Sequence, residues 1–206
     1  MNQNNNPRTG AELISQFISN YCFPEVFAVT GGACAFIMDA ISQNSKILYR
    51  AFQHEQAAAM AADAIWRVNK KIGVTVATSG PGATNLITGI ACSWFDSIPT
   101  LHITGQVNQN ESSEKLEVNV RQAGFQETDI VSMVKSITKM AKKVKNASEL
   151  AEALIDSYKI SQSDRPGPCL IDVPMDVQKE EIDSQLWQKL VSSMNYLNDQ
   201  SNTFGK

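Results

Sequence analysis

The chain has 206 residues, of which 43% are hydrophobic and 19% charged, so it can bury a sizeable core and is not expected to be disordered as a whole. Its formal net charge of -3 argues against nucleic acid as a main partner, because phosphate binding needs clustered lysines and arginines. No apolar run reaches the length of a membrane span, and four widely spaced cysteines are typical of reduced thiols, so we expect a cytoplasmic protein without a membrane partner.

Strand and helix patterns alternate along the chain. An Asn-rich arm over residues 1–7 is expected to be disordered, and the spacing of Thr9 and Glu12 predicts a capping box at the first helix. Six strands are predicted at 26–29, 47–52, 73–78, 98–104, 137–144 and 168–173. Further helices are predicted at 33–42, 55–68, 82–94, 124–134 and 146–161, and 108–121 is expected to form an ordered loop or a mobile flap.

The alternation of apolar strands with helices is typical of a parallel sheet that is covered on both faces. We therefore predict an α/β fold, in which a single three-layer domain contains a six-stranded, mainly parallel sheet flanked by helices. This domain is expected to occupy residues 8–178. A helix and a linker or tail should follow over 179–206, where Ile182, Leu186, Trp187 and Leu190 indicate one last helix.

Four loops that follow predicted strands contain glycine or polar residues. They are Thr30-Gly31-Gly32, His54-Glu55, Ser79-Gly80-Pro81-Gly82 and Gly105-Gln106. Ligands of open α/β sheets bind outside the carboxyl ends of the strands, so these loops are candidates for a binding site. Each loop alone is a weak signal, and neither a GxGxxG motif nor a P-loop lysine is present, so no nucleotide-binding fingerprint applies.

Glu55 is the most pointed of these residues, because it directly follows a strand and opens a helix rich in alanine. On spacing alone, the favoured interpretation is a carboxylate stabilised by the dipole at a helix start. His54 beside it is expected to pack at the helix end rather than take part in the site. His102, inside an apolar strand, is expected to be a core histidine with its hydrogen bonds satisfied.

Taken together, the segments resemble the pyrimidine-binding domain of acetolactate synthase-like thiamine diphosphate enzymes. The matching segments are Thr30-Gly31-Gly32-Ala33, His54-Glu55-Gln56-Ala57-Ala58, Thr78-Ser79-Gly80-Pro81-Gly82-Ala83-Thr84-Asn85-Leu86, Asp96-Ser97-Ile98-Pro99, Ile103-Thr104-Gly105-Gln106-Val107, Gly124-Phe125-Gln126-Glu127 and Ile171-Asp172-Val173-Pro174. They occur in the family's order over residues 8–178, and the run from 78 to 86 is the most specific.

The resemblance implies that Glu55 is the catalytic carboxyl group. In the family, the glutamate at this position hydrogen-bonds a ring nitrogen of the cofactor's aminopyrimidine, which makes the exocyclic nitrogen a base near the thiazolium carbon. A carboxyl group that holds a proton near neutral pH needs a desolvated site. The deprotonated thiazolium carbon is the nucleophile, so the organic chemistry belongs to the cofactor.

Other matched positions receive less specific roles from the resemblance. Gly32, Pro81 and Asn85 are expected to bind the cofactor or shape its rim, although helix-start structure explains Pro81 and Asn85 equally well. Phe125 is expected to form a wall of the substrate pocket and Gln126 to face it. No metal ligand is predicted in this chain.

The family binds Mg²⁺ and the diphosphate in another domain, which carries a Gly-Asp-Gly motif, and this sequence contains no such motif. The chain is therefore expected to be inactive alone. It is interpreted as a fragment of a longer carboligase or decarboxylase, or as a natural half-subunit of a split 2-keto acid decarboxylase. A module that kept the fold without catalysis is a third interpretation.

The expected partners are a diphosphate-binding domain, in cis or in trans, and a small 2-keto acid whose acyl unit passes to an acceptor. Acetolactate itself is in doubt, because Arg121-Gln122-Ala123-Gly124 stands where acetolactate synthases commonly have Gly-Thr-Asp-Ala. A homodimer or homotetramer is expected to form through the alanine-rich face over 57–64 and the helix over 82–94.

Overall fold

Six strands form one sheet at the centre of the structure, a computed structural model that describes residues 6–118 and 120–203. The strands are β1 (Glu25–Ala28), β2 (Leu48–Ala51), β3 (Gly73–Ala77), β4 (Thr100–Gln106), β5 (Met140–Lys143) and β6 (Cys169–Pro174). They lie in the order β2-β1-β3-β4-β6-β5, and every neighbouring pair is parallel. The predicted parallel sheet is confirmed.

Helices cover both faces of this sheet. Over the described residues they are α1 (Gly10–Tyr21), α2 (Ala35–Gln43), α3 (Glu55–Asn69), α4 (Pro81–Asn85), α5 (Ile87–Phe95), α6 (Ile130–Val134), α7 (Ala147–Gln162), α8 (Met175–Lys179) and α9 (Ser184–Thr203). Helices α1, α2, α7, α8 and α9 pack together on one face, and α3 to α6 lie on the other. The predicted three-layer α/β architecture is therefore confirmed.

Successive strand residues point into different cores, as the period of two in a β-strand requires. In β6, Ile171 belongs to the larger core beneath α1 and α7, whereas Leu170 belongs to the core beneath α5. In β1, Val26 faces the larger core and Phe27 packs near Ala58 of α3. Both faces of the central strands are buried, which explains why their sequences are apolar throughout.

The alanine-rich face of α3 packs closely against α5 in the same chain. A methyl group added at Gly89 of α5 would overlap the side chain of Ala59 of α3, so only glycine permits this approach. Ser93 of α5 also donates a hydrogen bond of 2.9 Å to Asp63 of α3. Small residues predicted to allow close helix contact between subunits thus serve, in part, a contact within the chain.

The predicted helix over 124–134 is wrong, because the helix α6 begins only at Ile130. The Glu127 carboxylate accepts hydrogen bonds from the backbone N–H groups of Ala123 and Gly124, both at 3.3 Å, and Gln126 adopts a left-handed φ of 55°. Asp129 then caps α6 by accepting a hydrogen bond of 3.0 Å from the Ser132 N–H. The side chains of Glu127 and Asp129 thus accept hydrogen bonds from backbone N–H groups in this segment, which favours a non-helical backbone before residue 130.

Other boundaries also differ from the predicted ones. The predicted helix over 82–94 is interrupted at Leu86, where α4 ends and α5 begins. A 3-10 turn over Lys135–Ile137 delays the start of β5. The last helix, α9, continues to Thr203, which is further than the apolar positions predict.

The ends and the flap are only partly described. The first five residues of the predicted polar arm and Asn119 of the predicted flap lie outside the described residues. Within the flap, two short 3-10 turns occur, at Gln109–Glu111 and Ser113–Lys115. In the part of the chain that the structure describes, no helix has the length and apolar character needed to span a bilayer.

Candidate functional site

The chain changes direction across the sheet between β1 and β3, and ligands of α/β folds bind at such a point. The loops after these two strands contact each other through Thr78. An atom added at Gly31 in the position of a Cβ would lie 2.5 to 2.7 Å from the Thr78 side chain, so no larger residue fits there. The Ala33 N–H donates a hydrogen bond of 3.2 Å to Thr78 Oγ1. Gly32 is exposed, and an atom added there would meet nothing within 4 Å among the described residues.

Glu55 lies at this edge as the first residue of α3, and it is only 6% exposed. Its Oε2 accepts a hydrogen bond of 3.0 Å from the Asn85 side-chain amide at the end of α4. His54 caps α3 by accepting a hydrogen bond of 3.2 Å at Nδ1 from the Gln56 N–H, a role in helix capping rather than the predicted packing. The structure thus brings Glu55 and Asn85, both predicted site residues, into direct contact.

Gly82 lies between the Glu55 carboxyl group and the Thr78 side chain. An added Cβ at Gly82 would lie 3.1 Å from Glu55 Oε1 and 2.8 Å from Thr78 Cγ2. A side chain at this position would therefore separate the carboxyl group from Thr78. Thr78 contacts the loops on both sides, and the prediction of site residues missed it, although a β-branched residue between a buried strand and a glycine-rich turn was a usable signal.

Pro81 is the first residue of α4 and is exposed beside the crevice. Its ring fits the first helical turn, where the missing N–H has no intrahelical partner to lose. Its neighbour Gly80 has a φ of 61°, in the region that favours glycine. The helix-start interpretation therefore describes Pro81 well, while Asn85 at the other end of α4 points to Glu55.

Gln126 lies against the loop after β3. An added Cβ at Gly80 would lie 2.7 Å from both the Cβ and the backbone oxygen of Gln126. Phe125, the predicted wall, is 80% exposed in this chain. The structure thus places Gln126 at the edge of the crevice and leaves the Phe125 ring on the surface.

A buried polar cluster lies between β4 and β6, below the predicted substrate residues. Thr104 and Gln106 donate hydrogen bonds of 2.6 Å and 3.1 Å to the Asp172 carboxyl group, and Gln106 also donates one of 2.9 Å to the Thr128 backbone oxygen. Burial raises the pKa of Asp172 to about 7, against the opposing effect of these hydrogen bonds and of Lys143. The cluster ties the segment before α6 to the sheet, and the sequence indicated it only as part of the matched motif.

His102 on β4 is a core residue with satisfied hydrogen bonds, as predicted. Its ring is fully buried, with Nδ1 at 2.8 Å from Thr75 Oγ1 and Nε2 at 2.9 Å from Thr100 Oγ1. Desolvation lowers the pKa of His102 to about 3, so the ring stays neutral near neutral pH. Among the residues that the structure describes, no cluster of three or more His, Cys, Asp or Glu side chains has the arrangement of a metal site.

A parallel α/β domain with a buried glutamate and glycine-containing loops at its strand reversal has the architecture of domains that bind a ligand at the sheet edge. Residues 8–133 match the family described as "Thiamine pyrophosphate enzyme, N-terminal TPP binding domain", and the chain belongs to this family. The resemblance inferred from the sequence motifs is confirmed.

Several relatives are acetolactate synthases. The chain is 35% identical over 191 residues to acetolactate synthase 1, chloroplastic, of Zea mays, which covers 93% of this chain and 28% of the relative. It is 39% identical over 178 residues to the acetolactate synthase of Arthrospira platensis, covering 85% and 29% of the two chains. The large subunit of acetolactate synthase isozyme 1 of Escherichia coli is 39% identical over 179 residues, with coverage of 86% and 30%. The chain thus spans less than a third of the length of these relatives.

Proposed function

We propose that this chain supplies the aminopyrimidine half of a thiamine diphosphate site, with Glu55 as the catalytic carboxyl group. The observation that supports the proposal is the placement of a glutamate that is 6% exposed at the strand reversal of the sheet, hydrogen-bonded by Asn85. The proposed reaction is of the acetolactate synthase type, in which a 2-keto acid loses CO₂ and its acyl unit passes to an acceptor. Family membership supports this reaction class.

Asn85 determines which oxygen of Glu55 can donate. An amide N–H is a donor only, so Glu55 Oε2 must accept the 3.0 Å hydrogen bond from Asn85. Oε1, which lies 3.1 Å from the position of a Cβ added at Gly82, is then the oxygen left to hydrogen-bond a ligand. This geometry fits a planar heterocycle that receives a hydrogen bond from Oε1. Gly32 and Pro81, both exposed at the same edge, are proposed to form the rim that contacts the ring.

Thiamine diphosphate, when bound, supplies a thiazolium carbon that becomes nucleophilic toward the keto group. The contribution of this chain is to donate the Glu55 proton to a ring nitrogen, which makes the exocyclic amine more basic. Low exposure of Glu55 keeps water from competing for that hydrogen bond. Gln126, next to Gly80, is proposed to contact the 2-keto acid.

The diphosphate and its Mg²⁺ are proposed to bind to a second domain, in cis or in trans, since this sequence lacks a Gly-Asp-Gly motif. Covering by that domain would bury the Phe125 ring, which is 80% exposed here, and would make it a wall of the substrate pocket. The chain alone is then inactive. A non-catalytic module is the alternative, and the buried Glu55 with its Asn85 partner weighs against it.

Self-association is proposed to use the outward faces of α3 and α5. Their inward faces are occupied by the contact between Ala59 and Gly89, but Met60 on α3 and Phe95 on α5 are exposed. We expect a dimer or a tetramer in light scattering at micromolar concentration, and fewer oligomers when Met60 and Phe95 are both changed to Ser. A wild-type chain that is monomeric throughout this range would contradict the proposed interface.

The reaction is tested by completing the site and measuring CO₂ release. The chain, joined to or mixed with a diphosphate-binding domain of an acetolactate synthase, is assayed with pyruvate and longer 2-keto acids, with and without thiamine diphosphate and Mg²⁺. We expect release that depends on both additions and on both proteins. No release with any 2-keto acid, despite cofactor binding by the completed site, would favour the non-catalytic module.

A further inference from the structure

We propose that Glu127 is a positioning residue that joins the flap and the Gln126 turn into one unit at the mouth of the crevice. The flap here means residues 108–118, and the turn means residues 123–126. The flap and the turn are separated in sequence, and the Glu127 side chain reaches both of them. The consequence for substrate binding rests on the proposed function, whereas the joining of the two segments does not.

The Glu127 carboxylate accepts hydrogen bonds from two adjacent serines of the flap. The Ser112 hydroxyl donates a hydrogen bond of 2.6 Å to Oε1, and the Ser113 hydroxyl donates another of 3.1 Å. The Ser113 N–H lies 3.0 Å from each carboxylate oxygen. Ser112 is only 3% exposed, so this part of the flap is packed against the domain.

The same carboxylate also holds the turn. Oε2 accepts hydrogen bonds of 3.3 Å from the N–H groups of Ala123 and Gly124. Desolvation raises the pKa of Glu127, but the hydrogen bonds from Ser112, Ser113 and Ala123 outweigh it and bring the pKa to about 2, so the group is an anion at any physiological pH. Hydrogen bonds to an anion are stronger than those between neutral groups, so a carboxylate that accepts several of them holds the donating backbone segments in place.

The flap is also attached to the rest of the domain through Gln109. Gln109 donates a side-chain hydrogen bond of 3.0 Å to Asp176 on α8, and another of 2.9 Å to the Lys145 backbone oxygen. The turn is attached to the sheet through the nearby Thr128, whose backbone oxygen accepts a hydrogen bond from the Gln106 side chain. Glu127 hydrogen-bonds the flap and directly precedes Thr128 in the chain, so it links the two attachments.

The residue that depends on this unit is Gln126. Its φ of 55° is uncommon for a residue other than glycine, and such a conformation persists only where the surroundings hold it. Gly80 contacts Gln126 from one side, and Glu127 fixes the residues on the other. Loss of the carboxylate should therefore release Gln126 from its contact with Gly80.

Hydrogen exchange on the chain alone tests the joining of the segments. In Glu127→Gln, we expect the amides of Ser113, Ala123 and Gly124 to exchange at least tenfold faster than in the wild type, with β3 and β4 unchanged. Ser112→Ala, which leaves the carboxylate in place, should speed exchange at Ala123 and Gly124 to a smaller extent. Glu111→Gln, which changes an exposed carboxylate of the flap, is the matched control and should change none of these rates.

Exchange that is unchanged at all three amides, or faster to the same degree throughout the sheet, would overturn the proposal. The functional part is measured on the completed enzyme, where Glu127→Gln should raise KM for the 2-keto acid about tenfold with kcat altered less than about threefold. An unchanged KM together with faster local exchange refutes the positioning role. Wild-type protein without activity would refute the proposed function, and the exchange experiment would still decide whether Glu127 joins the segments.

Discussion

Changing Glu55 to Gln in the completed enzyme should lower kcat at least about 100-fold, the range in which general acid–base groups act. Glutamine has nearly the same size and can still accept the hydrogen bond from Asn85. Its amide cannot deliver an acidic proton to the pyrimidine ring, so the exocyclic amine stays weakly basic. The measurement is the rate of CO₂ release from a 2-keto acid at saturating cofactor.

The control is Glu152→Gln, which alters an exposed carboxylate on α7, on the opposite face of the sheet from α3. It should leave kcat within about twofold of the wild type, as surface substitutions away from a site usually do. Cofactor affinity, measured by titration of fluorescence, separates a loss of binding from a loss of chemistry. Activity in Glu55→Gln equal to that of the wild type, with the cofactor bound, would remove Glu55 from the mechanism.

In Asp172→Asn, the free energy of unfolding should rise more steeply with pH than it does in the wild type. The pKa of Asp172 is raised to about 7 by burial, so between pH 4 and 7 the folded state holds a proton that the unfolded state has lost. Stability from this group falls as pH rises through that window. The pKa of His102 is lowered to about 3, so between pH 3 and 6.5 the unfolded state holds a proton that the folded state lacks. Stability from His102 therefore rises with pH.

These two contributions have opposite signs in the wild type between pH 4.5 and 6.5. In Asp172→Asn only the His102 contribution remains, and the free energy of unfolding should increase with pH by as much as about 1.4 kcal/mol per unit relative to the wild type. The difference is measured by urea denaturation at several pH values, and the slope rather than the absolute stability is the result. Since Thr104 and Gln106 lose part of their partner, a constant offset is also expected.

His102→Gln is the complementary variant, and its stability should fall with pH over the same window. Lys143 and Asp129, which also influence Asp172, remain unchanged in both variants. Parallel curves for the wild type and Asp172→Asn would show that Asp172 titrates alike in the folded and unfolded states.

The strands were predictable because burial on both faces leaves a strong signal in the sequence. Every residue of β3 and β6 is buried, and the predicted ranges differ from the observed ones by a single residue at the ends. The helix predicted over 124–134 failed for the opposite reason. Its residues permit a helix, but Glu127 accepts hydrogen bonds from Ser113, fourteen residues away, as well as from the neighbouring Ala123, and a helical pattern in the sequence does not contain the first of these contacts.

The candidate site was likewise predictable from the sequence only in part. Glu55 and Asn85 belong to motifs that the sequence displays, but only the fold shows that Asn85 donates to Glu55. On spacing alone, Glu55 was better explained as a helix-start carboxylate, a description that is also correct, since it is the first residue of α3. The contacts of Thr78 and Asp172 depend on strand order, so residue type alone could not assign them.

Thr78 has a consequence for the energetics of cofactor binding. Because it contacts the positions of both Gly31 and Gly82, and receives a hydrogen bond from Ala33, the width of the crevice is set by packing within this chain. An arriving ring would meet loops that are already in place, so little conformational entropy is lost on its side of the site. Under the proposed function, the affinity for the aminopyrimidine would then come from the folded domain itself, without a rearrangement of these loops.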